Sequence, residues 1–107
     1  IGTAEPEAQL VSSHMIDLAD IGEVKRLGGI GEILGHFFSA TGEAVDTSIA
    51  ARTLSLRLDM LEGRRIVAIA GGKEKVWAIR SVLKSGVLSG LITDERSARA
   101  LCLEETI

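Results

Sequence analysis

Two glycines and two lysines, in the order Gly71-Gly72-Lys73-Glu74-Lys75, are the residues of this sequence whose types and spacing could do chemistry. They follow the apolar run Ile66 to Ala70 and precede a helical pattern. Residues without Cβ let a backbone come close to a ligand, and free N–H groups at a helix start favour an anion. Lys75 adds a full positive charge in the first turn, where a lysine is otherwise poorly matched to the helix dipole. The stretch is neither a GxxxxGK[ST] loop nor GxGxxG, so nothing in it points to a nucleotide. On the residues alone, two accounts stay open. The stretch is one wall of an anion pocket, or a tight strand-to-helix turn with solvated lysines.

The elements that must position these residues can be read from the hydrophobic pattern. Ile66 to Ala70 predicts a strand covered on both faces and central in a sheet. Lys73 to Ser85 predicts a helix with Val76, Ile79, Val82 and Leu83 on its inner face and Gly86 as its C-terminal cap. Gly90 to Thr93 predicts a second buried strand, and Asp94 the cap of a last helix that turns Ala98, Leu101 and Cys102 inward. Strand, helix, strand in this length makes a parallel βαβ unit, whose ligands gather beyond the carboxyl ends of the strands. Gly71 and Gly72 occupy that place. Nearer the start, Asp20 with Glu23 predicts a capped helix ending before Gly28 and Gly29. Residues 29–46 predict a glycine-broken strand and a hairpin turning at Ala40 to Glu43. Arg52 to Leu61 alternates, then gives way to a short helical turn closing at Gly63.

With 107 residues, 46% of them hydrophobic, the chain can bury one core: one domain, or part of one. A net charge of −3 offers no basic field for gripping a nucleic-acid backbone. A single cysteine, Cys102, excludes an internal disulfide framework and fits a reducing cytoplasm. No apolar run approaches the roughly 20 residues that span a bilayer, so no membrane partner is expected. His14 and His36 have no neighbours at ligand spacing, so neither a metal nor another cofactor is expected. Asp94 and Glu95 are adjacent and point in different directions on a helix, which favours capping over paired acid–base chemistry. Trp77 falls with Arg80, Ser81 and Lys84 on the outward side of its helix. An exposed tryptophan backed by arginine fits a protein interface; the bland alternative is a ring lying over its own neighbouring loop.

The stretch IVAIAGGKEKVWAIRSVLKSGVLSGLITDERSARAL resembles the closing segment of the effector-binding domain of SorC-family, DeoR-related bacterial transcriptional regulators. GGIGEILGHFFSATGEAV resembles the segment before it, and the opening Ile1-Gly2 the end of an earlier strand. The resemblance covers nearly the whole chain. It implies an α/β fold, a Rossmann-like three-layer parallel sheet similar to sugar-phosphate isomerases, of which residues 1–107 are the C-terminal part. The chain is then expected to begin inside a larger protein, with DNA bound only through a missing N-terminal helix-turn-helix domain. The function implied is that of a non-enzymatic sensor that binds a phosphorylated sugar and modulates DNA binding and homo-oligomerisation. The alternatives are a sugar-phosphate isomerase-like enzyme and a ligand-free oligomerisation module. Carried over by motif, Lys75 contacts the effector phosphate, Gly71 and Gly72 form its loop, and Glu32 in GEILG faces sugar hydroxyls, as a carboxylate can. On the residues alone, Glu32 is equally a charge solvated at a strand edge. Asp94 stands near the ligand side. Ser39 departs from the family, which often has an acidic residue or Asn after the paired aromatics.

Overall fold

The first long helix, α2 (Leu18–Arg26), opens one turn earlier than its charge pattern implies. Asp17 is the N-cap, and its carboxylate accepts the Asp20 N–H at 2.9 Å while Asp20 accepts the Asp17 N–H at 3.1 Å. Asp20 is therefore the third residue of a capping box and not the cap, because the short carboxylates at this spacing satisfy each other's amides. Glu23 is released for a longer reach and accepts both the N–H and the hydroxyl of Ser48 at 2.9 Å. The helix ends as expected before Gly28. That residue, at φ +87°, donates to Lys25 O while Gly29 donates to Val24 O, the paired bonds of a Schellman stop.

The computed structural model describes residues 1–49 and 57–103. Strand β1 (Gly2–Thr3) and helix α1 (Gln9–Ser12) precede α2. Three short strands follow it: β2 (Gly31–Ile33), β3 (His36–Phe38) and β4 (Ala44–Val45). With β1 they form an antiparallel sheet in the order β1-β2-β3-β4. The β2–β3 turn is Leu34-Gly35, both at positive φ (+54° and +84°), the backbone that matches strand twist in a two-residue hairpin. The hairpin expected at Ala40 to Glu43 is the β3–β4 connection, closed by Ser39 N–H to Glu43 O and Gly42 N–H to Ser39 O.

Phe37 and Phe38 are each 1% exposed although adjacent residues in a strand face opposite ways, so this sheet is covered on both faces. Phe37 packs with Ala4, Val24 and Ile49 on the α2 side. Phe38 lies opposite Gly31 in register, on the side of α4 (Val76–Lys84). There a Cβ on Gly31 would land on the Ala78 carbonyl, so helix and strand meet backbone to backbone. Ser81 adds a buried hydroxyl hydrogen-bonded to the carbonyls of Phe38 at 2.9 Å and Ser39 at 2.6 Å. Ser81 and Arg80, expected on the outward side, are thus buried; only Trp77 of that group and the end of the helix face solvent.

Helix α3 (Leu58–Leu61) is the short turn expected before Gly63; the alternation expected over Arg52 to Leu56 lies outside the described residues. Strands β5 (Val67–Ile69) and β6 (Gly90–Ile92) pair in parallel, joined by a 3₁₀ turn (Lys73–Lys75) and α4. The βαβ unit is therefore present, yet the larger sheet is antiparallel and β5 is not central. Among the described residues β5 pairs only with β6, which leaves Val67, Ile69 and Ile92 exposed by 51%, 79% and 57% on one shared face. Ala68, on the other face, is buried. Helix α5 (Glu95–Leu103) closes the described chain; its deeply buried residue is Ser97, while Cys102, expected inside, is exposed. No helix among the described residues is long and apolar enough to cross a membrane.

Gly31→Ala should destabilise the protein by about 2 to 3 kcal/mol, because the helix must lift off the strand backbone. Gly22→Ala, where an added Cβ meets nothing within 4 Å in α2, should stabilise it by up to about 1 kcal/mol. Denaturant unfolding of the two variants checks the contrast.

Candidate functional site

The glycine loop leaves the carboxyl end of β5 and is held down by α5. A Cβ on Gly71 would stand 2.5 Å from Asp94 Oδ1 and 3.2 Å from Thr93 Oγ1, so only glycine passes this point undisturbed. Gly72 has φ +119°, again a glycine conformation. Its N–H donates to Ser97 Oγ at 3.0 Å, and the Ser97 hydroxyl donates to Asp94 Oδ1 at 2.6 Å. Asp94 Oδ2 accepts the Ser97 N–H at 3.2 Å, so Asp94 caps α5 as its sequence position implies. These bonds, led by the one from the Ser97 hydroxyl, hold the Asp94 carboxyl below its ordinary pKa of 3.8. The Gly72 amide is thus engaged within the protein, whereas an anion cradle built from the loop needs it free.

Beside this loop lies a cleft of about 610 Å³ lined by Lys73, Trp77, Asp94 and Arg96 among others. Trp77 is 56% exposed, and the Arg80 guanidinium sits 4.9 Å from its ring centroid. Arg80 is itself fixed to α5 by donating to the carbonyls of Ala100 at 3.2 Å and Leu101 at 3.3 Å. The indole therefore rests on a cation that cannot drift, an arrangement favourable in itself.

Lys75 is half-buried and lines a different cleft, about 370 Å³, with Gly2, Thr3 and Ala8 and with three carboxylates, Glu5, Glu7 and Glu74. It forms no ion pair with any described residue; the nearby Glu5 is bonded to Lys25 at 2.8 Å. Glu32 belongs to an inner strand, is only 9% exposed, and accepts the Gly35 N–H at 2.9 Å through Oε2. It is not a charge solvated at a strand edge. Its carboxylate lies over Gly2, the residue paired with it across β1–β2.

The residues singled out in the sequence therefore fall into two neighbourhoods: Gly72, Asp94 and Trp77 around one cleft, with Gly71 against Asp94, and Lys75 with Gly2 along another, with Glu32 beside Gly2. A half-buried cation with no partner can hold a phosphate, and a carboxylate can accept hydroxyl hydrogen bonds. Two residues of these neighbourhoods carried only faint signals in the sequence. Ser97 joins the loop to Asp94; the Asp94-x-x-Ser97 spacing of a helix start was its signal. Gly2 makes room for Glu32, and a glycine in a strand, which often marks close approach, was the only hint. No group of three or more His, Cys, Asp or Glu among the described residues could hold a metal ion.

With this geometry in hand, the comparisons define a class. Residues 1–102 match the family model Sugar-bind, a sugar-binding domain, and the chain belongs to that family. It is 54% identical over 101 residues, 94% of its length, to the erythritol catabolism regulatory protein EryD of Brucella abortus, and 45% identical over 78 residues, 71% of its length, to the transcriptional regulator LsrR of an Enterobacter species. It spans only 32% and 24% of those two proteins. A transcriptional regulator from Streptococcus pneumoniae superposes with a TM-score of 0.85 at 27% identity, covering 99% of this chain and 41% of that one. The full-length sorbitol operon regulator SorC of Klebsiella pneumoniae gives 0.72 at 28% identity, covering 77% and 26%. Over three quarters or more of its length the chain is thus similar to part of regulators of the DeoR and SorC kinds.

Ser97→Ala should speed hydrogen exchange at the Gly72 amide at least tenfold, read by mass spectrometry or NMR, since that half-buried bond loses its acceptor. The depressed Asp94 pKa means that its ionised form adds stability above the ordinary value near 3.8, and that this is lost as pH falls through the lowered value. Asp94→Asn should flatten that acid limb of an unfolding titration.

Proposed function

We propose that residues 1–107 form the C-terminal part of an effector-sensing domain that binds a phosphorylated sugar without turning it over. The observation that carries this proposal is Lys75, a half-buried cation on a cleft wall with no ion-pair partner among the described residues. Lys75 holds the phosphate as a charge-assisted donor, and Glu32 accepts hydroxyl hydrogen bonds from the sugar. Gly71 and Gly72 set the height of the loop from which Lys75 projects, and Asp94, through Ser97, fixes that loop to α5. The relatives' names support a regulatory role over an isomerase-like one: EryD, LsrR and SorC are regulators. Binding shifts the balance between subunit or domain arrangements, and operator affinity follows. DNA is reached through a separate domain of the whole protein, in keeping with the net charge of −3 here.

The exposed face of Val67, Ile69 and Ile92 supports the second half of the proposal. Three large aliphatic side chains on one face of a parallel pair belong against another layer, as in doubly covered parallel sheets. Further chain of the same Rossmann-like domain covers them, and the whole domain assembles with copies of itself.

In the full-length protein, Lys75→Ala should weaken sugar-phosphate binding about tenfold to a hundredfold, the effect of losing about 1.5 to 3 kcal/mol in a charged hydrogen bond. Calorimetric titration with a panel of sugar phosphates checks this, and binding indifferent to Lys75 refutes it. Ile69→Asp should destabilise the full-length protein by more than about 2 kcal/mol if the face is covered, by burying an unpaired charge, and should leave it nearly unchanged if the face is free.

A further inference from the structure

Glu32 is held in an unusual way for a carboxylate in the middle of a sheet. One oxygen, Oε2, is occupied by the Gly35 N–H at 2.9 Å, which closes the Leu34-Gly35 turn onto the side chain. The other oxygen lies directly over the backbone of Gly2, the cross-strand partner of Glu32, in space that a Cβ would fill. Gly2 also lines the cleft that Lys75 borders. The missing side chain at residue 2 is thus what lets the carboxylate fold back over β1, against a residue that lines that cleft, while the turn amide fixes its rotation.

We propose that Gly2 is a positioning residue for Glu32 and thereby a determinant of selectivity: it sets Oε1 where a hydroxyl-bearing phosphate ester is preferred over bare phosphate. This rests on the effector reading of Lys75 and Glu32 given above. Any side chain at residue 2 pushes the carboxylate away from β1, breaks its bond to Gly35, or both. The three atoms nearest to a Cβ at residue 2 all belong to Glu32 and none to Lys75, which stands in the turn before α4. Gly2 therefore acts on the hydroxyl part of the ligand and not on the anion.

The test uses the full-length protein, titrated calorimetrically with inorganic phosphate and with ribose 5-phosphate, glucose 6-phosphate and their 2-deoxy counterparts. The wild type should bind at least one sugar phosphate tenfold or more tightly than inorganic phosphate. Gly2→Ala should abolish most of that increment and leave the affinity for inorganic phosphate within about twofold; Glu32→Gln, which removes the carboxylate itself, should also abolish most of the increment. Gly2→Ala/Glu32→Asp, whose shorter carboxylate clears the new methyl group, should fold as the wild type does and restore discrimination among the sugar phosphates in part. A Gly2→Ala protein that keeps the full increment, with Lys75→Ala still weakening all ligands, overturns the role of Gly2 and leaves the effector reading standing. Failure of the wild type to bind any of these ligands sinks the effector reading itself, and with it the selectivity role. A ligand-free arm separates the two. With glycine-selective ¹⁵N labelling, the Gly35 amide, bonded to Glu32 Oε2, should exchange its hydrogen at least tenfold faster in Gly2→Ala than in the wild type; an unchanged rate refutes the positioning on its own.

Discussion

The approach of α4 to β2 at Gly31 is the constraint on which the arrangement depends. Where Ala78 and Gly31 meet, helix and strand backbones touch with no side chain between them, and the Ser81 hydroxyl bonds to the carbonyls of Phe38 and Ser39 one strand over. This fixes how close the helix lies and how it is turned about its axis. A helix seated this way presents Ile79 and Val82, both fully buried, to the core and leaves Trp77 outside. Because α4 is also the crossover of the β5–β6 pair, it belongs to both sheets. A two-stranded sheet is marginal alone in water, so the parallel pair depends on this helix for its cover and the glycine loop depends on the pair.

The loop shows how such a frame sets up chemistry. Its two glycines are needed for different reasons: Gly71 because Asp94 and Thr93 stand against it, Gly72 because of its backbone angle. Ser97, 1% exposed, accepts from one and donates to the carboxylate beside the other. The resulting bonds tie strand end, loop and last helix into one unit. Lys75 leaves that unit on the side of β1 and Trp77 on the side of α5, so a single turn of chain serves two clefts.

Much of the second half was legible in the sequence because its signals are local. A continuous apolar run, two glycines, an amphipathic stretch and Asp94 each act within a few residues, and strand, helix, strand and cap stand where those signals put them. What could not be read depends on contacts distant in sequence. Arg80 and Ser81 look like surface residues by spacing; they are buried because carbonyls of α5 and β3 accept from them. Cover for Val67 and Ile69 was inferred from their apolarity, which cannot reveal where the covering layer comes from. The three strands between Gly31 and Val45 are too short for alternation to show, and a leucine at positive φ gives no warning of a turn. The Asp17–Asp20 box was misplaced by one turn because three acids at the same spacing, 17, 20 and 23, offer two registers. In the site, the loop was readable and Ser97 was not, since a serine one turn into a helix is ordinary until its partner 25 residues away is known.

At its far end α4 makes another backbone contact, where the tip of the β3–β4 hairpin meets it. A Cβ on Gly42 would collide with the Lys84 carbonyl and the Ser85 amide. The helix of nine residues is about 13.5 Å long at 1.5 Å per residue. It is thus a short rigid strut, rooted beside Lys75 and ending against a surface hairpin, with bare backbone at Gly31 on the way. A push along such a strut cannot be absorbed by side-chain rearrangement at those points, because there are no side chains there to rearrange. The spacing between the Lys75 turn and the hairpin tip is thus set by backbone contacts at Gly31 and Gly42 and by the length of the helix between them.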